Sequence, residues 1–179
     1  MASALIILTD GFEEIEAFAP IDLLRRANIQ VLVAGLGKLQ IKSSHGVQIV
    51  CDEIFDVTKH VNFDAIILPG GPGTANLAES SDVLQAVKNY FADGKLCCAI
   101  CAAPKVFFKA QILKNRKFTC FPSVEKEISG AHYLDDVVIQ DENIITSKAA
   151  GTAVDFSFVI IENLLDEDEA EAVLDKIYY

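Results

Sequence analysis

The chain has no tryptophan, one methionine and three histidines among its 179 residues. The histidines, His45, His60 and His132, stand far apart. They lack the clustered spacing that a metal centre takes from histidine and cysteine. Neither a metal nor a cofactor is therefore expected. Basic residues are scarce too. Fifteen Lys and Arg face 26 Asp and Glu, which leaves a formal net charge of −11. A surface of that sign repels phosphate backbones, so nucleic acid is not an expected partner. No apolar run reaches the ~18 residues of a membrane span, and no membrane association is expected. The first apolar run, Ala4–Leu8, has no basic region before it and acidic residues soon after it. It reads as a buried strand, not a leader.

Cysteine is present, but the count is five, an odd number. That argues against a disulfide framework and for a reduced, cytoplasmic protein. Hydrophobic residues make up 51% of the chain, enough to bury a core, and the length suits one domain over residues 1–179. The acidic run Asp166–Glu169 reads as the solvated start of a helix.

Strand-length apolar runs alternate with helix-length segments. Ala4–Leu8, Gln30–Ala34, Ala65–Leu68, Leu96–Ile100 and Lys117–Cys120 read as strands. Glu14–Ala27, Ser81–Ala92, Lys105–Ile112, Ala153–Leu165 and Glu169–Ile177 read as helices, with Ser80 or Ser81 a candidate N-cap. Val137–Gln140 and Asn143–Thr146 flank Asp141-Glu142 as a hairpin. The alternation predicts an α/β fold with a mainly parallel sheet and helices on both faces. Ligands in such folds bind beyond the carboxyl ends of the strands. Three segments fall there: Thr9–Glu16, Pro69–Gly73 and Cys101–Pro104.

In "LCCAICAAP", residues 96–104, Cys98 and Cys101 form a C-x-x-C pair. Strand alternation places their side chains on opposite faces, which disfavours a disulfide. Cys97, Cys98 and Cys120 read as core residues, since free cysteine packs as a small hydrophobe. Cys101 stands where a strand turns into a helix. A sharp turn of that kind holds its central residue in a strained conformation and needs small neighbours, here Ala99 and Ala103. A helix N-terminus beside the sulfur predicts a thiol held below its ordinary pKa. The residues alone leave a nucleophile and a buried structural cysteine both open.

Glu13, Glu14 and Glu16 crowd one helical turn. An acidic first turn complements the helix dipole and accounts for Glu13 and Glu14. Glu16 instead lies on the apolar stripe of Phe12, Ala19, Pro20 and Leu23. A carboxyl in such a place has a raised pKa and suits proton transfer. In "ILPGGPGT", residues 67–74, glycines let backbone amides approach a ligand, and consecutive amides bind an oxyanion. An ordinary Gly-Pro turn explains the same residues.

Together these segments resemble the DJ-1/ThiJ/PfpI superfamily, specifically its DJ-1 branch. "GFEEIEAFAPIDLLRRANIQVLVAGL" from Gly11, "DAIILPGGPGTANL" from Asp64, "CAICAAP" from Cys98, "GAHY" from Gly130 and "TSKAAGTAVDF" from Thr146 fall in the family's order. The resemblance implies a flavodoxin-like three-layer sandwich, a homodimer and a reactive elbow cysteine, Cys101. It implies that Glu16 bonds to that cysteine and that His132 stands nearby. It also implies an anion site built from the amides of Gly70, Gly71 and Ala102. Three places depart from the pattern. His45 replaces a family arginine, Ser43 a family cysteine, and Ala149-Ala150-Gly151-Thr152 the family's GPGT, while Arg25 and Arg26 remain in place.

What the resemblance implies for function is chemistry on small reactive carbonyls: glyoxalase activity without glutathione, or deglycation. Cys101 would attack the aldehyde, with Glu16 and His132 moving protons. A second reading is an oxidative-stress sensor or redox-regulated chaperone whose Cys101 becomes a sulfinate, with an oxidant as its small-molecule partner. A cysteine peptidase is the weakest reading, because His132 has no visible orienting partner.

Overall fold

The computed structural model describes all residues, Met1–Tyr179. Strand β1 (Ser3–Leu8) leads into helix α1 (Glu14–Arg26), and β2 (Gln30–Gly35) follows. Three short strands come next, β3 (Gln40–Lys42), β4 (Gln48–Val50) and β5 (Glu53–Ile54). Then β6 (Ala65–Leu68) precedes α2 (Thr74–Glu79) and α3 (Ser81–Ala92), and β7 (Leu96–Ile100) precedes α4 (Pro104–Lys109). Strands β8 (Lys117–Phe118), β9 (His132–Tyr133), β10 (Val138–Asp141) and β11 (Ile144–Ser147) lead to the closing helices α5 (Ala153–Leu164) and α6 (Glu167–Ile177).

The central sheet has the order β10-β11-β7-β6-β1-β2-β5. All its pairings are parallel except the edge pair β10–β11. Its inner strands are covered on both faces, and so they are apolar at every position, not at alternate ones. Ile6, Leu8, Cys98 and Ile100 pack under α1, α5 and α6. Leu5, Ile7, Ile66, Cys97 and Ala99 pack under α2, α3 and α4. The result is a flavodoxin-like three-layer α/β fold. No helix is long and apolar enough to cross a membrane.

Ser80 caps α3 by accepting a hydrogen bond from the Val83 amide at 3.3 Å. Asp166 caps α6 in the same way, from the Glu169 amide at 2.9 Å. The expected hairpin is present, with Glu142 at φ 54° in its turn. Three expectations differ. The helix after Cys101 ends at Lys109, since Gln111 turns left-handed at φ 63°. The strand from Lys117 stops at Phe118 and pairs with β9 in a separate two-stranded sheet. Strands β3–β5 were not expected, being two or three residues long and largely exposed.

Candidate active site

The carboxyl ends of β1, β6 and β7 meet at one place. Helix α1 starts there with Glu13 as its N-cap, accepting from the Glu16 amide at 2.8 Å. One turn of helix carries Glu16 inward, so that it is 1% exposed. Pro20 follows at i+4 and has no N–H for the Glu16 carbonyl. The loop after β6 is stitched to this first turn twice. The Gly70 amide donates to Glu16 Oε2 at 2.9 Å, and the Glu13 amide donates to the Gly70 carbonyl at 3.0 Å. Gly71 adopts φ +91°, and a Cβ there would lie 2.6 Å from the Gly11 carbonyl oxygen. Only glycine fits.

Cys101 ends β7 in the left-handed region, at φ 64°. That conformation costs a non-glycine residue about 1–3 kcal/mol and persists only where the surroundings enforce it. Its backbone is fully engaged: the amide donates to the Ser147 carbonyl at 2.9 Å, and the carbonyl accepts from the Phe121 amide at 2.9 Å. Ala99 and Ala103 on either side are completely buried, which no larger residue would allow. Leaving the strand conformation also turns the Cys101 side chain. It packs against the same cluster as Cys98, not on the opposite face. All five cysteines are free, and Cys101 alone is not buried.

The Cys101 side chain and the Glu16 carboxyl meet at Gly70, where a Cβ would lie 2.7 Å from the Cys101 Cβ and 2.7 Å from Glu16 Oε2. Burial raises the Glu16 pKa from its ordinary 4.5 to about 7, and repulsion from Glu13 adds to the rise. Hydrogen bonds from Cys101 and from the Gly70 and Ala150 amides oppose it. Burial also pushes the Cys101 thiol up, to about 12, helped by the charge on Glu16. The Gly71 and Ala102 amides pull it down. The lowered thiol expected from sequence is thus reversed, first by burial and then by the Glu16 charge. The helix invoked for it begins only at Pro104, and it is weaker than burial and the carboxylate. The two groups titrate as one unit. When Glu16 holds the proton, the part of the rise that comes from its charge disappears, while burial still opposes charge on sulfur.

A cleft of about 280 Å³ opens above the sulfur, lined among others by Gly71, Thr74, Ala102, Lys105 and Phe121. The structure thus brings together Cys101, Glu16, Gly70, Gly71 and Ala102. His132 does not join them. Tyr133 turns inward onto Phe118, with ring centroids 5.8 Å apart, and strand alternation therefore sends His132 to solvent. It takes no part in lining the cleft; Phe121 and Lys105, which sequence reading passed over, stand there instead. Lys105 carried one signal, its place in the first turn beyond the elbow.

Glu14 faces the other way and ties α1 to the β3–β4 hairpin. It accepts from the Ser43 hydroxyl, from Ser44 Oγ at 3.1 Å and from the His45 amide at 2.9 Å, and it contacts His45 Nδ1 at 2.8 Å. The Ser43 bond, with help from His45, holds its carboxyl well below the usual range. Glu13, Glu14 and His45 converge so that their ligand atoms lie within 4.8 Å of one another, a proximity their separation in sequence hides. Capping and these hydrogen bonds already occupy both carboxylates. A larger hollow of about 480 Å³, bordered by Asp10, Lys38, Lys42 and Gln48, holds no nucleophile.

Known proteins resemble this chain in both sequence and fold. The DJ-1/PfpI family profile covers residues 2–163. The chain belongs to the DJ-1/PfpI family. Protein dj-1beta of Drosophila melanogaster is 39% identical over 175 residues, 96% of this chain and 94% of its own. A Caenorhabditis elegans relative named glutathione-independent glyoxalase DJR-1.2 is 38% identical over the same shares. The crystal structure of a mutant DJ-1 superfamily protein from Salmonella typhimurium superposes with a TM-score of 0.95 at 34% identity. That alignment covers 100% of this chain and 99% of the other.

Proposed function

We propose that this protein converts small 2-oxoaldehydes such as methylglyoxal into 2-hydroxy acids without glutathione. The observation that carries this reading is the buried Glu16 carboxyl against the Cys101 sulfur, with the Gly71 and Ala102 amides beside them. The name of the Caenorhabditis elegans relative supports the same chemistry.

The steps follow from the geometry. Cys101 sulfur forms a bond to the aldehyde carbon, and the carbonyl electron pair moves to oxygen. The Gly71 and Ala102 amides hold that oxyanion, and Glu16 passes the thiol proton to it. Ionised again once it has passed on the thiol proton, Glu16 takes the hydrogen from the former aldehyde carbon as a proton. The electrons left behind form an enediolate with the neighbouring carbonyl; its oxygen takes the proton from the hydroxyl on the first carbon, and Glu16 returns its own proton to the second carbon. The first carbon is now a thioester. Water adds, the carbon–sulfur bond breaks, the water's second proton goes to sulfur, and a 2-hydroxy acid leaves with the thiol restored. One carbon is oxidised, its neighbour is reduced, and no external electron acceptor is needed. His132 has no role in this scheme.

Lactate release from methylglyoxal tests it. Cys101→Ala should abolish release, and Glu16→Gln should lower kcat by about 10²-fold or more, because the amide cannot accept a proton. Near-normal release from Glu16→Gln would refute the mechanism. The sensor reading draws support from Cys101 being the one cysteine not buried. It replaces the first if wild type releases no lactate while peroxide adds oxygen selectively to Cys101, read by intact mass.

A homodimer belongs to the proposal. Ile15 and Phe18 on α1, with Val47 and Val50 on or beside the hairpin that Glu14 ties to it, are exposed. Five free cysteines suit a reducing compartment, the cytoplasm.

A further inference from the structure

Lys105 is the one charged residue lining the Cys101 cleft, in a chain whose net charge is −11. It stands in the first turn of α4, four residues beyond the sulfur-bearing residue. Its side chain is 32% exposed, with the stem along the cleft wall. The ammonium reaches the rim formed by the 3-10 turn Val124–Glu127, where it meets Glu127 Oε1 at 3.2 Å and Oε2 at 3.3 Å. Glu127 is 61% exposed. An ion pair this open to water is weak and exchangeable, so a bound anion can take the place of Glu127. The rest of the surface repels anions at long range. Lys105 sets a positive charge in the wall of the Cys101 cleft against that background.

We infer that Lys105 is a specificity-determining residue: it draws to Cys101 electrophiles that carry a negative charge, so the preferred substrates are 2-oxoaldehydes bearing a carboxylate. The substrate class rests on the proposed 2-oxoaldehyde chemistry; the selection of anions at the sulfur does not. Thr74, Phe121 and the glycine-rich loop offer no second charge, so discrimination should reside in this side chain. The product of the reaction is itself a carboxylate, and the same ammonium would meet it on the way out.

The test compares 4,5-dioxopentanoate, a 2-oxoaldehyde with a carboxylate, against neutral methylglyoxal. Lys105→Gln should lower the ratio of their kcat/KM values about fivefold. Lys109→Gln removes the same charge one turn further on, from an exposed position away from the cleft. It should leave the ratio unchanged. Glu127→Gln frees Lys105 and should raise the ratio about twofold. A ratio unmoved by Lys105→Gln, or moved equally by Lys109→Gln, overturns the inference. A second readout needs no turnover. The rate of Cys101 alkylation by iodoacetate, relative to neutral iodoacetamide, should fall about fivefold in Lys105→Gln. If neither aldehyde is consumed and this ratio still falls, the reaction reading fails and anion selection by Lys105 stands. An unchanged alkylation ratio overturns the role of Lys105 whatever the turnover.

Discussion

The Gly70 amide donates to Glu16 Oε2 at 2.9 Å, and a Cβ on Gly70 would lie 2.7 Å from that same oxygen and 2.7 Å from the Cys101 Cβ. Glycine at 70 is therefore what lets sulfur and carboxyl come together. Gly70→Ala must push apart two groups that are each held by backbone. The strain should cost about 1–3 kcal/mol. A lowered denaturation midpoint, together with a changed rate of Cys101 alkylation, is the expected result. A midpoint equal to wild type would show that the two groups separate freely.

Glu16 makes stability depend on pH in a direction opposite to most carboxylates. Its folded value of about 7 lies above its ordinary 4.5. Between those values the native chain holds a proton that the unfolded chain has released. Stability is therefore full below pH 4.5 and is lost as pH rises to about 7. At ~1.4 kcal/mol per pH unit the loss is about 3 kcal/mol. Glu16→Gln keeps the acceptor for Gly70 and cannot ionise. Denaturant titrations at pH 5 and pH 8 should show wild type losing more stability than Glu16→Gln across that interval. Parallel losses would mean that Glu16 is ionised throughout.

Much of this was legible before the coordinates. β6 and β7 are apolar at every position, and β1 from Ala4 onward, because helices cover both faces, and that pattern survives in one dimension. Glu16 betrayed itself by breaking a rule, a carboxyl on the apolar stripe with Pro20 one turn on. What escaped depended on pairing in space. The side on which His132 falls is decided by a two-residue ladder with Lys117–Phe118. The grip of Glu14 on Ser43 and His45 joins residues about 30 apart in sequence. The thiol was misjudged because a helix start is visible in sequence, whereas desolvation and a facing carboxylate are not. Lys105 looked like any lysine in a first helical turn until the cleft placed it at the mouth.

The strain at Cys101 predicts an ordering of variants. At φ 64° alanine bears the left-handed penalty of about 1–2 kcal/mol, and glycine does not. Glycine costs the unfolded chain more entropy, about 0.5–1 kcal/mol. The balance favours Cys101→Gly over Cys101→Ala by up to about 1.5 kcal/mol. Urea midpoints for the two variants check this, since both lack the sulfur. Cys101→Ala equal to or above Cys101→Gly would place the backbone outside the left-handed region.

The proposed dimer can be probed at Ile15 and Val50, which are 56% and 70% exposed. Neither supports the core of its own chain, so Ile15→Glu and Val50→Glu should fold with unchanged stability as single chains. Across a two-fold interface the same substitutions place a carboxylate in apolar surroundings twice, once from each copy. Each unpaired charge costs several kcal/mol if desolvated. At ~1.4 kcal/mol per tenfold in Kd, that is enough to move dissociation from nanomolar to micromolar concentrations or beyond. Sedimentation of wild type at micromolar concentration should give twice the 19.5 kDa of one chain, and both variants should give 19.5 kDa. Gln85→Glu, on the exposed side of α3 beneath the opposite face of the sheet, adds the same charge and should remain a dimer. A wild type of one-chain mass would leave the exposed apolar residues of α1 and the hairpin without this partner. A dimer that survives both Ile15→Glu and Val50→Glu would place the interface on another face.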